Sequence, residues 1–147
     1  MIFSSSCEQA DEIARLLCAR GESAAAAHSK VNAIRQAALF NRFCRGRIRF
    51  FVSVNMLNEG FDVPRVDCVV LARLTDSEIV FVQQLGRGLR LDPAQPDKEV
   101  AVLDLALNLR RRWHRLCEQL PDDEIANLVH SFWPVEQFDS QDAEALM

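Results

Sequence analysis

The densest chemical pattern in this chain is a run of eight residues, Gln83-Gln84-Leu85-Gly86-Arg87-Gly88-Leu89-Arg90. Offsets of four and seven place Gln83, Arg87 and Arg90 on one helical face, and Gly86 and Gly88 remove bulk where the helix should end. Two arginines three apart beside glycines can bracket a phosphate that gains charge in a transition state, the arginine-finger role in phosphoryl transfer. The competing reading is a helix C-terminus carrying cations that suit its dipole. A second stretch, Glu59-Gly60-Phe61-Asp62-Val63-Pro64, directly follows the strongest strand pattern. In an open α/β sheet, ligands bind beyond the carboxyl ends of strands, where this loop would sit. Between Gly60 and Pro64 the turn is stiff, and Asp62 is held where a carboxylate can accept hydrogen bonds from a ribose. The alternative is a loop Asp capping its own backbone.

The elements that must position these groups alternate in type. Met1 to Ser4 is a short apolar start, and Ser6 with Gln9 has the spacing of a capping box. Ile13, Leu16, Leu17 and Arg20 follow at helical period up to Gly21, a natural stop. Residues 23–28 read as a small, apolar strand. Residues 32–44 read as a second helix with Ile34, Ala37, Ala38 and Phe43 inward, stopped by Gly46. Residues 48–54 (IRFFVSV) form the strongest strand pattern, and 66–72 (VDCVVLA) and 100–105 (VAVLDL) read as strands buried on both faces. Thr75 and Glu78 again have capping-box spacing and predict a helix over 76–85. Residues 92–97 are a turn with two prolines, and 107–120 and 122–132 look helical. Such alternation implies βαβ units and a mostly parallel sheet flanked by helices on both faces. The expected organisation is an α/β domain over 1–107, a helical extension over 108–134 and a flexible acidic tail over 135–147.

Composition narrows the class. The chain has 147 residues, 49% hydrophobic and 26% charged, ordinary values for one globular domain. No apolar run approaches the ~20 residues that cross a bilayer, and the N-terminus has no basic region or apolar core of a signal peptide. Five cysteines (7, 18, 44, 68, 117), with no CxxC, favour reduced thiols in a cytoplasmic protein over a disulfide framework or a zinc site. The net charge of −4 is unevenly spread: residues 118–147 carry eight acids and no Lys or Arg, which leaves 17 basic against 13 acidic groups before them. Fifteen of the 17 are arginine, and Arg35, Arg42, Arg45, Arg47 and Arg49 fall within fifteen residues without an acid. Arginine suits bidentate phosphate recognition, so a polyanion partner is one reading and a solvated helix face the other.

The joint pattern resembles the C-terminal RecA-like domain of superfamily 2 helicases and translocases over roughly residues 1–110. MIFSSSCEQADEIARLL looks like its motif IV, SVNMLNEGFDVPRVDCVVLAR like motif V, and QQLGRGLR fits the QxxGRxxR motif VI. HS, with a helix ending FNRFCRGRIRFFVSV, matches the connecting pattern. The EGFDVP wording is closer to the branch of type III restriction subunits and DNA repair translocases than to the DEAD-box RNA branch. The resemblance implies a P-loop NTPase-type fold without its own P-loop. Arg87 and Arg90 would reach the γ-phosphate of ATP, with Gln83 supporting them. Gly60, Asp62 and Gly86 would border the nucleotide. Ser4, Ser5, Ser53 and Asn55 would sit where the family touches the nucleic-acid backbone, Asn55 at a spot often held by Thr. Arg45 and Arg47 would add sequence-independent phosphate contacts.

A motor of this kind needs two such domains with Mg²⁺-bound ATP between them. The phosphate cradle GxxxxGK[ST] has no counterpart here, since Lys30 and Lys98 are the two lysines and no glycine precedes either. Asp122-Asp123-Glu124 follows Pro121 and reads as charge at a helix start. The chain alone is therefore expected not to turn ATP over, and to depend on an N-terminal RecA-like domain in cis or in trans. The expected polymer is DNA, with RNA not excluded. His28, His114 and His130 are widely separated and read as core or surface histidines. Arg110 to Arg115 reads as the wet face of a terminal helix, and Phe132-Trp133-Pro134 as a docking point for the C-terminal helix or a neighbouring domain. The alternative function is a stand-alone binding module of nucleic acid or protein that keeps the fold without turnover.

Overall fold

In the computed structural model the structure describes residues 1–54, 66–88 and 98–121. The chain divides into two compact units, Met1–Asn108 and Leu109–Met147. In the first, β1 (Ile2–Ser4), α1 (Cys7–Ala19), β2 (Ala24–Ala27), α2 (Ala33–Cys44), β3 (Phe50–Ser53), β4 (Cys68–Ala72), α3 (Glu78–Gly88) and β5 (Ala101–Asp104) follow one another. The strands form one sheet in the order β2-β3-β1-β4-β5, and every pairing is parallel. A helix, α4 (Asn108–Cys117), begins at the end of this unit. No helix of the described residues is long and apolar enough to cross a membrane.

The ends of the first two helices follow from single residues. Ser6 accepts from the Gln9 N–H and opens α1; Asn32 accepts from the Arg35 N–H and opens α2. Gly21 and Gly46 close them at φ 84° and 70°, the left-handed conformation that costs glycine least. At each, the two backbone bonds of a Schellman stop are present: Gly21 to Cys18 and Glu22 to Leu17, then Gly46 to Phe43 and Arg47 to Arg42.

The sheet separates two apolar layers. Ile2, Val52 and Val54 pack with Ala10 and Ala14 of α1 on one face. Phe3, Val69 and Leu71 pack with Phe81 of α3, and with Phe40 and Phe43 of α2, on the other. Phe51 anchors α2, stacked on Phe43 at 5.2 Å and edge-on to Phe40 at 5.8 Å.

Three expectations are corrected. In α2 the inward face is Phe40, Phe43 and Cys44, whereas Ile34 is 86% exposed and Ala37 and Ala38 face solvent. The aromatic rings have the larger apolar area and take the sheet-facing side. In α1, Leu16 is exposed and Ala10, Ile13, Ala14 and Leu17 face inward. β5 is an edge strand with Ala101 and Leu103 exposed, not a strand buried on both faces. The predicted helix over 122–132, the turn at 92–97 and the tail lie outside the described residues.

Candidate functional site

Because every strand is parallel, Ser4, Ala27, Ser53 and Ala72 end their strands on one side of the sheet. From β1 the chain passes to α1 on one face and from β4 to α3 on the other. The carboxyl ends of β1 and β4 therefore border a topological switch point, the place where open α/β sheets bind ligands.

At the end of β1, one oxygen organises the turn. Gln9 Oε1 accepts from Ser4 Oγ at 2.7 Å, Ser5 N at 2.9 Å and Ser5 Oγ at 2.8 Å. The capping glutamine thus draws in the two residues before the cap, and their hydroxyl protons are spent on it. Ser4 is fully buried, Ser53 is buried with no partner for its Oγ among the described residues, and Ser5 is exposed. Of the three described serines expected at the nucleic-acid backbone, only Ser5 reaches the surface.

Beside them stands one of the histidines that the sequence marks as core or surface residues. His28, buried at the end of β2, places Nε2 3.0 Å from Asp11 Oδ1 of α1. An ionised carboxylate can only accept, so Nε2 donates. The Gln36 amide donates to the His28 and Val31 carbonyls at 2.8 and 2.6 Å and fixes the β2–α2 turn. Lys30 in that turn pairs with Glu8 in the first turn of α1. The Lys30 hydrogen bond lowers the Glu8 carboxyl from about 4.5 to about 2.

The motif helix α3 starts later than its predicted cap. The Ser77 hydroxyl accepts from the Val80 N–H at 3.3 Å, and Thr75 caps the turn before it by accepting from the Ser77 N–H. Gln83 is exposed and Arg87, one turn on, is half-buried. Phe81, Gln84 and Gly88 form the buried side. Gln84, 1% exposed with no partner for its Oε1 among the described residues, was not singled out from sequence, although its offsets of three from Phe81 and four from Gly88 mark that side. Among the described residues nothing crowds Gly86, whereas Gly88 is pressed against β4.

Asn108 holds the approach to α3. Fully buried, it accepts from the Thr75 N–H at 2.9 Å and donates to the Arg73 carbonyl at 2.9 Å and to Asp104 Oδ1 at 3.1 Å. One amide thus ties the β4–α3 loop to the end of β5.

The structure does not bring every expected contact together. Arg45 caps the C-terminus of α2 and Arg47 follows it, at the amino end of β3. Ser53 is at the other end of that strand, about 10 Å beyond Phe50 at the ordinary rise per residue. Arg49 is paired with Glu22 at 3.1 Å and lies 5.3 Å over the Phe50 ring. Asn55, Gly60, Asp62 and Arg90 lie outside the described residues. Among the described residues no group of three or more His, Cys, Asp or Glu is placed to hold a metal ion.

Residues 1–92 match the family described as the helicase conserved C-terminal domain. The chain belongs to that family. As a superfamily 2 helicase C-terminal domain it has relatives of several kinds. It is 33% identical over 86 residues to UvrABC system protein B of Thermosipho africanus, covering 55% of this chain and 13% of that protein. It is 28% identical over 90 residues to the ATP-dependent RNA helicase DDX47 of Drosophila melanogaster, covering 61% of this chain and 18% of that protein. Its fold is similar to that of Saccharomyces cerevisiae Dbp5 bound to RNA and ADP BeF3, with a TM-score of 0.59 at 23% identity, over 71% of this chain and 27% of that one. The RecA-like architecture is thus that of helicase C-terminal domains, and the match spans a small part of each curated relative.

Proposed function

We propose that this helicase C-terminal domain is the second motor domain of an ATP-dependent superfamily 2 DNA helicase or translocase. Arg87 and Arg90 would act as arginine fingers on the γ-phosphate, with Gln83 supporting them and Gly60, Asp62 and Gly86 along the nucleotide. ATP with Mg²⁺ would be held mainly by an N-terminal RecA-like domain, in cis or in trans, and ATP supplies the phosphoryl group to be cleaved. The observation that carries the reading is the exposed side of α3. Gln83 stands there one turn before Arg87, beside Ile79 and Val82, which are 70% and 58% exposed. An apolar surface around a polar motif is what an opposing domain would cover. Ser5 and Lys30 would meet the nucleic-acid backbone at the carboxyl end, with Ser4 and Ser53 shaping that end from beneath, and Asn55 would add a further contact. The EGFDVP stretch supports DNA as the polymer.

The first test is the size of the native product, by immunoblot of source-cell lysate. A band well above 16.7 kDa is expected, with the ATP-gripping domain on the same chain. In that protein Arg87→Ala should lower kcat for ATP by about 10³-fold or more. A band at 16.7 kDa with no co-purifying ATPase, or full turnover after Arg87→Ala, overturns the motor reading in favour of a stand-alone binding module.

A further inference from the structure

Among the described residues β2 is the outermost strand on its side of the sheet, and it pairs with β3. Alternate residues make that ladder: the Ser23 carbonyl accepts from Phe50 N at 3.0 Å and the Ala27 carbonyl from Val54 N at 3.3 Å. Ala24 and Ala26, in the intervening register, therefore turn their backbone groups along the free edge. There the Ala24 carbonyl meets the Cys18 thiol at 3.5 Å. The Ala24 and Ala26 N–H groups and the Ala26 carbonyl meet no partner among the described residues. All four side chains of the strand are methyl groups, so no charge, proline or bulky side chain shields the edge.

Beyond that edge lies a trough of about 650 Å³, lined by Asp11 and Cys18 of α1, by Arg35, Leu39 and Arg42 of α2, and by β2 itself. Since α1 and α2 pack on opposite faces of the sheet, a space touching both lies outside its edge. The trough is cationic in character. Arg35 and Arg42, seven residues apart on one face of α2, meet no carboxylate among the described residues, and Asp11 is engaged by His28.

We propose that this trough takes an extended acidic segment of a partner protein, added to the sheet as a further strand beside β2. The edge presents both N–H and C=O groups, which a peptide satisfies together. A nucleic-acid strand brings phosphate acceptors but no backbone N–H for the Ala26 carbonyl. Arg35 and Arg42 then select carboxylates among the partner's side chains.

The test uses the whole chain and a short fluorescein-labelled peptide alternating glutamate and valine, with binding read by polarisation and amide exchange by NMR. Saturation should slow exchange of the Ala24 and Ala26 amides at least about tenfold, and joint Arg35→Ala and Arg42→Ala should weaken binding by about tenfold or more. Ala26→Pro removes one outward N–H and should also weaken binding. Methylating the peptide's amides along its pairing edge should abolish binding without altering the protein, which keeps the test decisive if that variant does not fold. Equal binding of the methylated peptide, or unchanged exchange at both amides, overturns the proposal. So does displacement of the peptide by a single-stranded oligonucleotide that protects the same amides, or protection that rises with protein concentration alone.

Discussion

A methyl group on Gly88 would stand 2.6 Å from Cγ2 of Val69, with Cγ1 of Val100 2.8 Å away on its other side. The second glycine of the motif is therefore where α3 closes on β4 and the segment before β5. Gly86, two residues earlier, has no neighbour among the described residues within 4 Å of such a methyl. One glycine serves packing, and the other leaves open space on a helix that would otherwise prefer a side chain.

The two should part company on substitution. Gly88→Ala is expected to destabilise by about 1–3 kcal/mol through overpacking. Gly86→Ala should stabilise by about 0.5–1 kcal/mol through helix propensity. Urea unfolding of both variants checks the pair, and equal destabilisation would refute the assignment. If Gly86 also borders nucleotide, its variant will be stable and impaired in the complete ATPase.

From full burial Asn108 bonds to Thr75, Arg73 and Asp104. Asn108→Ala removes these bonds from a buried position and should destabilise by about 1–3 kcal/mol. Leu107, just before it, has φ 57°, a conformation that strains a side-chain-bearing residue by about 1–2 kcal/mol. Leu107→Gly should therefore stabilise. A thermal melt in which Leu107→Gly lowers the midpoint would count against this account.

The Glu8–Lys30 pair predicts a weak, acid-sensitive contribution at the carboxyl end of the sheet. Lys30 holds the Glu8 carboxyl at about 2 in the folded chain, below its ordinary 4.5. A lowered folded value favours folding above about 4.5, and that contribution fades as pH falls toward 2. Wild type should thus exceed Glu8→Gln in stability near neutrality and converge with it in acid. Both partners are exposed, so salt should shrink the gap. A gap of constant size across the acid range would refute the pairing.

Arg45 and Arg47 stand at the opposite end of β3 from Ser53, so they and Lys30 should act independently on a long nucleic-acid strand. Each alanine variant is expected to lower the slope of log affinity against log salt by about one. Combining Lys30→Ala with Arg47→Ala should add within about 0.5 kcal/mol. An oligonucleotide too short to span the sheet should respond to one end and not the other. Strong coupling between the two would show that they share one phosphate track.

Much of the frame was legible because local chemistry and tertiary packing agree in it. Ser6 with Gln9, and Gly21 and Gly46 at their stops, act within a few residues of their own helices, where a sequence pattern is complete. The face of α2 was not legible. Ile34 and Phe43, nine residues apart, fall on opposite faces of a helix, and what chooses between those faces is the Phe51 ring across the layer, a partner that periodicity does not show. Ser77 took the cap from Thr75 for a similar reason: Asn108, thirty-three residues away, claims the Thr75 N–H. In the candidate site, the spacing of Gln83 and Arg87 was readable as one helical face. The burial of Ser4, Ser53 and Gln84 was not, because exposure at a strand end depends on which neighbours close over it.

The order β2-β3-β1-β4-β5 also sets a timetable for synthesis. Of the five strands of this sheet the middle one is made first, yet Ile2 must wait for Val52 on one side and Val70 on the other. At ordinary translation rates that delay is on the order of ten seconds. For that interval Ile2 and Phe3, which end up buried at the centre of the domain, have no flanking strands, and the sheet grows outward from a strand that must first be kept from pairing elsewhere. Newly made chains stalled before β4 should accordingly be the form of this protein that holdase chaperones retain.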